Sequence, residues 1–167
     1  MAARVIASSA EAEALVGQPL GTSDGLLIDQ DRVDLFADAT GDHQWIHVDA
    51  EKAAAGPFGG TIAHGYLTLS LVPILSSRIY AIGFGTSRLN YGCNKVRFPT
   101  PVRVGSTVRA SAELTDVRRE AQGTYLTTRV TISVDGEAKP ACVAETVVLV
   151  LGEDAADAAA PTPEEKP

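Results

Sequence analysis

The stretch AHGYLTLSLVPILSSRIY, Ala63 to Tyr80, decides the fold. Helical spacing puts Tyr66, Leu67, Leu69, Leu71, Val72, Ile74, Leu75 and Ile79 on nearly every face. A surface helix shows one apolar stripe, whereas a helix that is apolar all round is surrounded by protein. A kink is expected at Pro73, whose ring removes a helix hydrogen bond and crowds the preceding turn. Arg78 falls near the C-terminal end, where the helix dipole favours a cation. The most apolar part, Tyr66 to Leu75, is too short to span a bilayer, so its covering must be protein.

That covering lies downstream. STVRASAELTDV, Ser106 to Val117, alternates Val108, Ala110, Ala112 and Leu114 against Thr107, Arg109, Ser111 and Glu113, the period of a strand with one buried face. YLTTRVTISV puts Leu126, Val130, Ile132 and Val134 on one face. Asp135 to Glu137 make a turn, and ACVAETVVLVL, Ala141 to Leu151, reads as a more fully buried strand. In SRLNYGCNKVRF the apolar positions switch from odd (Leu89, Tyr91, Cys93) to even (Val96, Phe98), which predicts a bulge near Asn94. Upstream, short helices are expected near Glu11 to Val16, from an Asp29 or Asp31 cap to Gly41, and from Asp49 to Gly56.

The plan is α+β: one long central helix, short helices before it, and an antiparallel meander after it. An antiparallel sheet with one buried face must wrap an apolar partner, and the all-round apolar helix is that partner. A curved sheet wrapped around a helix is the hot-dog arrangement, expected as one domain over residues 1–151. Residues 152–167 lack apolar periodicity and are expected to form a disordered acidic Ala/Pro tail.

At 167 residues with 45% hydrophobic and 21% charged content, the chain can bury a sizeable core. Five acidic residues and one lysine in the tail account for −4 of the net charge of −7. The body has no basic run suited to phosphates, so nucleic acid is not an expected partner. The N-terminus is interrupted by Glu11 and Glu13 and lacks the apolar core of a signal peptide; no membrane association and a cytoplasmic location are expected. Cys93 and Cys142 lack CxxC spacing and are read as reduced.

Chemistry concentrates in TGDHQWIHVD, Thr40 to Asp49, and in IAHGY, Ile62 to Tyr66. A carboxylate and an imidazole brought together can hold a water and move its proton near neutral pH, which makes Asp42 and His47 an acid/base candidate. A tight loop leading into an extended segment is expected to bring them into one pocket. If the buried helix opens at Ala63 to Gly65, its first amides lack intrahelical partners. Gly65, without a Cβ, lets a carbonyl approach there, an oxyanion site for an enolate. Two other readings stand beside this one. Asp42, His43, His47, Asp49 and His64 could ligate a metal, although no characteristic ligand spacing is present. Alternatively, Asp42 stabilises a turn and His47 is a satisfied core histidine. His64 reads as a residue that caps or orients the loop, and Trp45 as a core aromatic or pocket wall.

FADATGDHQWIHVD followed by FGGTIAHGYLTLSL resembles the MaoC-like, (R)-specific enoyl-CoA hydratases of the hot-dog superfamily. The shared pattern is a helix ending in Ser/Thr-Gly-Asp, a histidine five residues after that aspartate, and an Ile/Val-Ala/Val-His-Gly opening to the central helix. It covers about Leu20 to Leu151. The resemblance implies that Asp42 and His47 activate the water added across a trans-2-enoyl thioester, giving (R)-3-hydroxyacyl-CoA, and that the Gly65 amide holds the thioester oxygen. It also implies no metal or redox cofactor, acyl-CoA being the substrate, and a homodimer joined sheet edge to sheet edge. The family's usual wording is Asp-x-Asn-Pro-Ile/Leu-His. Here Gln44 stands for the asparagine and Trp45 for the proline, as in a nodulation-protein-N-like branch, which bears on pocket shape and substrate binding. Lys95, Arg97 and Arg103 are candidates for the CoA phosphates, or else ordinary surface charges. A thioesterase on the same fold and a non-catalytic acyl-CoA- or partner-binding subunit are the competing functions.

Overall fold

A computed structural model describes residues 3–152 of the chain. In chain order its elements are β1 (Arg4–Ile6), α1 (Ser9–Ala14), β2 (Pro19–Thr22), β3 (Leu26–Leu27), α2 (Gln30–Thr40), α3 (Trp45–Val48) and α4 (Ala50–Ala54). There follow α5 (Gly65–Ser70), α6 (Val72–Ser77), β4 (Tyr80–Ile82), β5 (Ser87–Arg97), β6 (Thr107–Glu120), β7 (Gly123–Val134) and β8 (Cys142–Leu151). Of the tail expected over residues 152–167, all but Gly152 lies outside the described residues.

Capping residues explain the short helices. The Asp29 carboxylate accepts from the Arg32 N–H to open α2, and Gly41 closes it at φ 77°, a left-handed conformation that costs glycine little. Asp49 caps α4 by accepting from the Lys52 N–H.

The central helix is divided. Leu71 separates α5 from α6, and Pro73 sits in the first turn of α6, where its missing N–H costs little. The proline therefore starts a new helix rather than kinking a continuous one. The second helix ends at Ser77, so Tyr80 belongs to β4 instead. Leu67, Leu71, Val72 and Leu75 are buried, but Tyr66 is 72% and Ile74 47% exposed, which leaves the helix pair one open side within a single chain. The Arg78 guanidinium donates to the Gly25 carbonyl at 3.3 Å, tying the end of α6 to the turn before β3.

The main sheet has the order β2-β6-β7-β8-β5, all antiparallel, with β3 also pairing β6. Only β6-β7-β8 is a meander. β5 precedes β6 in sequence yet lies at the far edge beside β8, because the Phe98–Ser106 segment crosses instead of turning back. That crossing is pinned to Thr61–Ala63 by backbone bonds from Ala63 to Val102 and from Val104 to Thr61. The expected bulge lies between Cys93 and Lys95, with a second between Asn90 and Gly92. A parallel pair, β1 with β4, was not legible in the pattern.

The alternation in β6 and β7 is the core alternation: Val108, Ala110, Ala112, Leu114, Leu126, Val130 and Ile132 pack with Leu67, Leu71 and Leu75. Both cysteines are free, and burial pushes the Cys142 thiol up to about 11. No helix among the described residues is long and apolar enough to cross a membrane.

Candidate active site

The left-handed turn at Gly41 ends α2 and delivers Asp42 and then His47 beside the start of α5. The segment carrying His47 is not extended as expected but forms the single helical turn α3. Tertiary contacts account for this turn. Asp49 N–H bonds back to the Trp45 carbonyl, while the Trp45 indole packs on Gly56 and under the Lys52 ammonium, 5.0 Å from the ring centre.

His47 is 6% exposed, and its Nδ1 lies 2.7 Å from the Ile62 carbonyl oxygen. A carbonyl can only accept, so Nδ1 carries the proton and the neutral ring keeps its lone pair on Nε2. Burial pushes the His47 pKa below its ordinary 6.5. The bond to Ile62 opposes that shift, His64 adds to it, and Asp42 opposes it.

His64 is 2% exposed and immediately precedes α5. Its Nε2–H donates to the Asp42 backbone carbonyl at 2.9 Å, and the Asp42 Oδ2 is 4.0 Å away. Its ring stacks on His47 with centroids 3.7 Å apart and planes at 26°, and Phe36 lies against it at 5.1 Å. The expectation that His64 orients the loop agrees with these contacts, whereas the histidine stack had no signature in the sequence. Asp42, His47 and His64 each offer one ligating atom within 4.8 Å of the others. The remaining residues of the metal alternative lie apart from these three: His43 bonds Asp38 at 2.9 Å, and Asp49 caps α4.

Gly65 opens α5, where the first amides lack intrahelical acceptors. A Cβ at this position would stand 3.1 to 3.3 Å from ring carbons of Phe98. Gln44 is exposed and makes no side-chain cap bond. Beyond Gly65, a cavity of about 480 Å³ runs along the helix pair, lined by Leu69, Val72, Pro73, Tyr80, Asn90 and Val148 among others.

The three candidate cations are not brought together. The Arg103 backbone bridges Ile62, next to the histidines. Lys95 and Arg97 instead line a small cavity of about 140 Å³ with Arg129, Val143 and Glu145. Register puts Lys95, Glu145, Arg129 and Glu113 in one row across four strands, alternating in charge on the face opposite the core. Gln30, which carries no sequence signal, reaches the cluster from the first turn of α2 and donates to the His47 carbonyl at 2.8 Å.

Residues 11–135 match the MaoC-like domain family. The chain is 54% identical to 3-hydroxyacyl-thioester dehydratase Z of Mycobacterium tuberculosis over 146 residues, 87% of this chain and 97% of that one. It is 45% identical to nodulation protein N of Rhizobium meliloti over 145 residues, 85% of this chain and 90% of the other, in keeping with the Gln-Trp wording of the first motif. Among solved structures it superposes on the (R)-hydratase from A. caviae involved in PHA biosynthesis with a TM-score of 0.67 and 29% identity, covering 81% of this chain and 96% of that one. The fold is the hot-dog fold expected from the central helix and its sheet.

Proposed function

The chain belongs to the MaoC-like family, and on that premise we propose that it is an (R)-specific enoyl-CoA hydratase that adds water across a trans-2-enoyl thioester to give the (R)-3-hydroxyacyl-CoA, and dehydrates in reverse. The observation that carries this is the His47 imidazole, protonated at Nδ1 by its bond to Ile62 and so basic at Nε2, beside the Asp42 carboxylate. Water held between the two loses a proton to Nε2 as its oxygen attacks the β carbon. Electron density moves from the double bond to the thioester oxygen, where the Gly65 N–H stabilises the enolate. Return of the proton to the α carbon completes the addition and regenerates the site. The dehydratase name carried by a 54% identical relative supports the same chemistry.

The acyl chain fits the cavity that begins at Leu69, one turn beyond Gly65, and Arg103 is the cation best placed for a CoA phosphate. Neither Gln44 nor Trp45 lines this cavity; Trp45 acts on the site through α3, which it packs against Gly56. The reaction needs no metal or redox cofactor: proton transfer and enolate stabilisation suffice, and metal ligation would compete for the same nitrogen lone pairs. Incubation with crotonyl-CoA tests the reading directly. Loss of enoyl absorbance without free thiol is expected. Thiol release would make the protein a thioesterase, and no change with short or long enoyl-CoAs would make it a binding subunit.

Because burial lowers the His47 pKa, the acid limb of kcat/KM is expected to have its inflection below 6.5. An inflection above that value would contradict His47 as the base. The same shift lowers folding stability as pH falls from 6.5 toward the folded-state pKa, because the unfolded chain binds the proton first.

β5 is exposed along nearly its whole length, including Leu89 and Tyr91, and its outer edge is unpaired among the described residues. A second copy pairing along this edge would remove it. Sedimentation is expected to give twice the chain mass; a monomer at micromolar concentration would sink the homodimer.

A further inference from the structure

We propose that Gln30 and Thr61 are positioning residues for His47, closing a hydrogen-bonded circuit that holds its imidazole in the Nε2-basic tautomer; the catalytic consequence rests on the hydratase reading above. The Gln30 side-chain nitrogen lies 2.8 Å from the His47 carbonyl and 2.8 Å from Asp34 Oδ1. Both neighbours only accept, so this end of the amide is the NH2 group and both of its protons are used. The opposite end, Oε1, accepts from the Thr61 hydroxyl at 2.6 Å. Thr61 is followed by Ile62, whose carbonyl accepts from His47 Nδ1 at 2.7 Å and whose N–H donates to the Ile46 carbonyl at 3.0 Å.

The circuit therefore runs from Gln30 to the His47 main chain, through the imidazole to Ile62, along one peptide to Thr61, and back to Gln30. It joins three segments far apart in sequence. Such closure matters because α3 is only four residues long. One helical turn does not hold a side chain by itself, since nucleating a turn is unfavourable. With Gln30 in place, the backbone of His47 and its ring are fixed from opposite sides. Without it, the Thr61 hydroxyl loses its acceptor and the His47 carbonyl loses a donor, leaving the Ile62 N–H bond to the Ile46 carbonyl as the remaining backbone tie between this segment and α3. The tautomer of a histidine is set by the bond its other nitrogen makes, so loosening this geometry loosens the tautomer.

The test uses the full chain carrying Gln30→Leu, Thr61→Val, the two together, Gln30→Glu and Thr61→Ser. Gln30→Glu keeps the volume and an acceptor for Thr61 but removes both donors. Histidine-selective 15N NMR reads the tautomer directly. The chain has 3 histidines, and His47→Gln identifies the His47 signal. In the native chain His47 is expected to be protonated at Nδ1 above its pKa. In Gln30→Leu, Gln30→Glu and Thr61→Val that signal shifts toward mixed tautomers, kcat for crotonyl-CoA falls about 10-fold, and KM stays within about threefold. The double variant falls no further than the worse single one, since both break one circuit. Thr61→Ser behaves like the native chain.

An unchanged His47 tautomer in every folded variant overturns the proposal, as does additive loss of activity in the double variant. If the apolar substitutions prevent folding, the NMR comparison of Gln30→Glu with Thr61→Ser decides: a shifted tautomer in the first alone supports the circuit, and no shift in either overturns it. A native chain that hydrates no enoyl-CoA would refute the hydratase reading, while the tautomer measurement would still test the circuit.

Discussion

Asp42→Asn and His47→Gln are each expected to lower crotonyl-CoA hydration by about 10²- to 10⁴-fold, the usual worth of a positioned general acid or base. The first substitution keeps the shape of the side chain and removes only its charge. The contact that anchors this loop, from His64 Nε2, goes to the Asp42 backbone carbonyl and is untouched. In the second, a glutamine amide can still donate to the Ile62 carbonyl, but no basic nitrogen remains where Nε2 stood. Circular dichroism and thermal melting should therefore report folded proteins that no longer turn over. The two losses should not add in the double variant, because both groups act on one water. His43→Ala supplies the contrast. That histidine bonds exposed Asp38, which holds its pKa above 6.5, and its removal is expected to leave rates within about twofold. Wild-type-like turnover in Asp42→Asn or His47→Gln would remove the dyad from the mechanism.

The second large effect is on stability. Leu75→Ala is expected to cost about 3 kcal/mol, the range found for leucines truncated in well-packed cores. Leu75 is 0% exposed and packs with residues from both the helices and the sheet. Its own N–H closes the first turn of α6 onto Leu71, so the backbone is held while the cavity opens. For a chain of this size the melting temperature should drop by about 6–12 °C. Ile74→Ala, one residue away on the exposed side, should cost less than about 1 kcal/mol. Equal losses at the two positions would mean that the burial pattern of the helix pair does not govern its stability.

Different parts of the fold were legible to different degrees, for physical reasons. The ends of α2 were readable, its stop to the residue and its start to one of two aspartates, because both are chemical: an aspartate, Asp29, that accepts a backbone N–H, and a glycine at positive φ. The faces of β6 and β7 were readable because side-chain alternation is a local property of a strand. The position of β5 was not, since alternation says nothing about which neighbour a strand chooses. The division of the central helix was half legible: Pro73 announced a disturbance, but whether the chain kinks or starts a new helix depends on the packing around Leu71. Tyr66 and Ile74 misled for a related reason, since an apolar residue signals a preference for burial without showing that one chain can satisfy it.

At the candidate site, the order Asp42, His47, Gly65 could be read from two short motifs, because spacing and residue type are what those motifs record. The sequence by itself determined the class of fold, the position of the candidate acid/base pair in the chain and the glycine at the helix start, all read from local periodicity, caps, residue chemistry and two short motifs. The tertiary structure alone decided that His64 stacks on His47, that Lys95 lies in a charge row on the outer face with Glu145, Arg129 and Glu113, and that Gln30 reaches the His47 carbonyl. These depend on contacts between segments distant in the chain. Hydrogen bonds and ring contacts require angstrom proximity, and that proximity exists only after the sheet has closed around the helices.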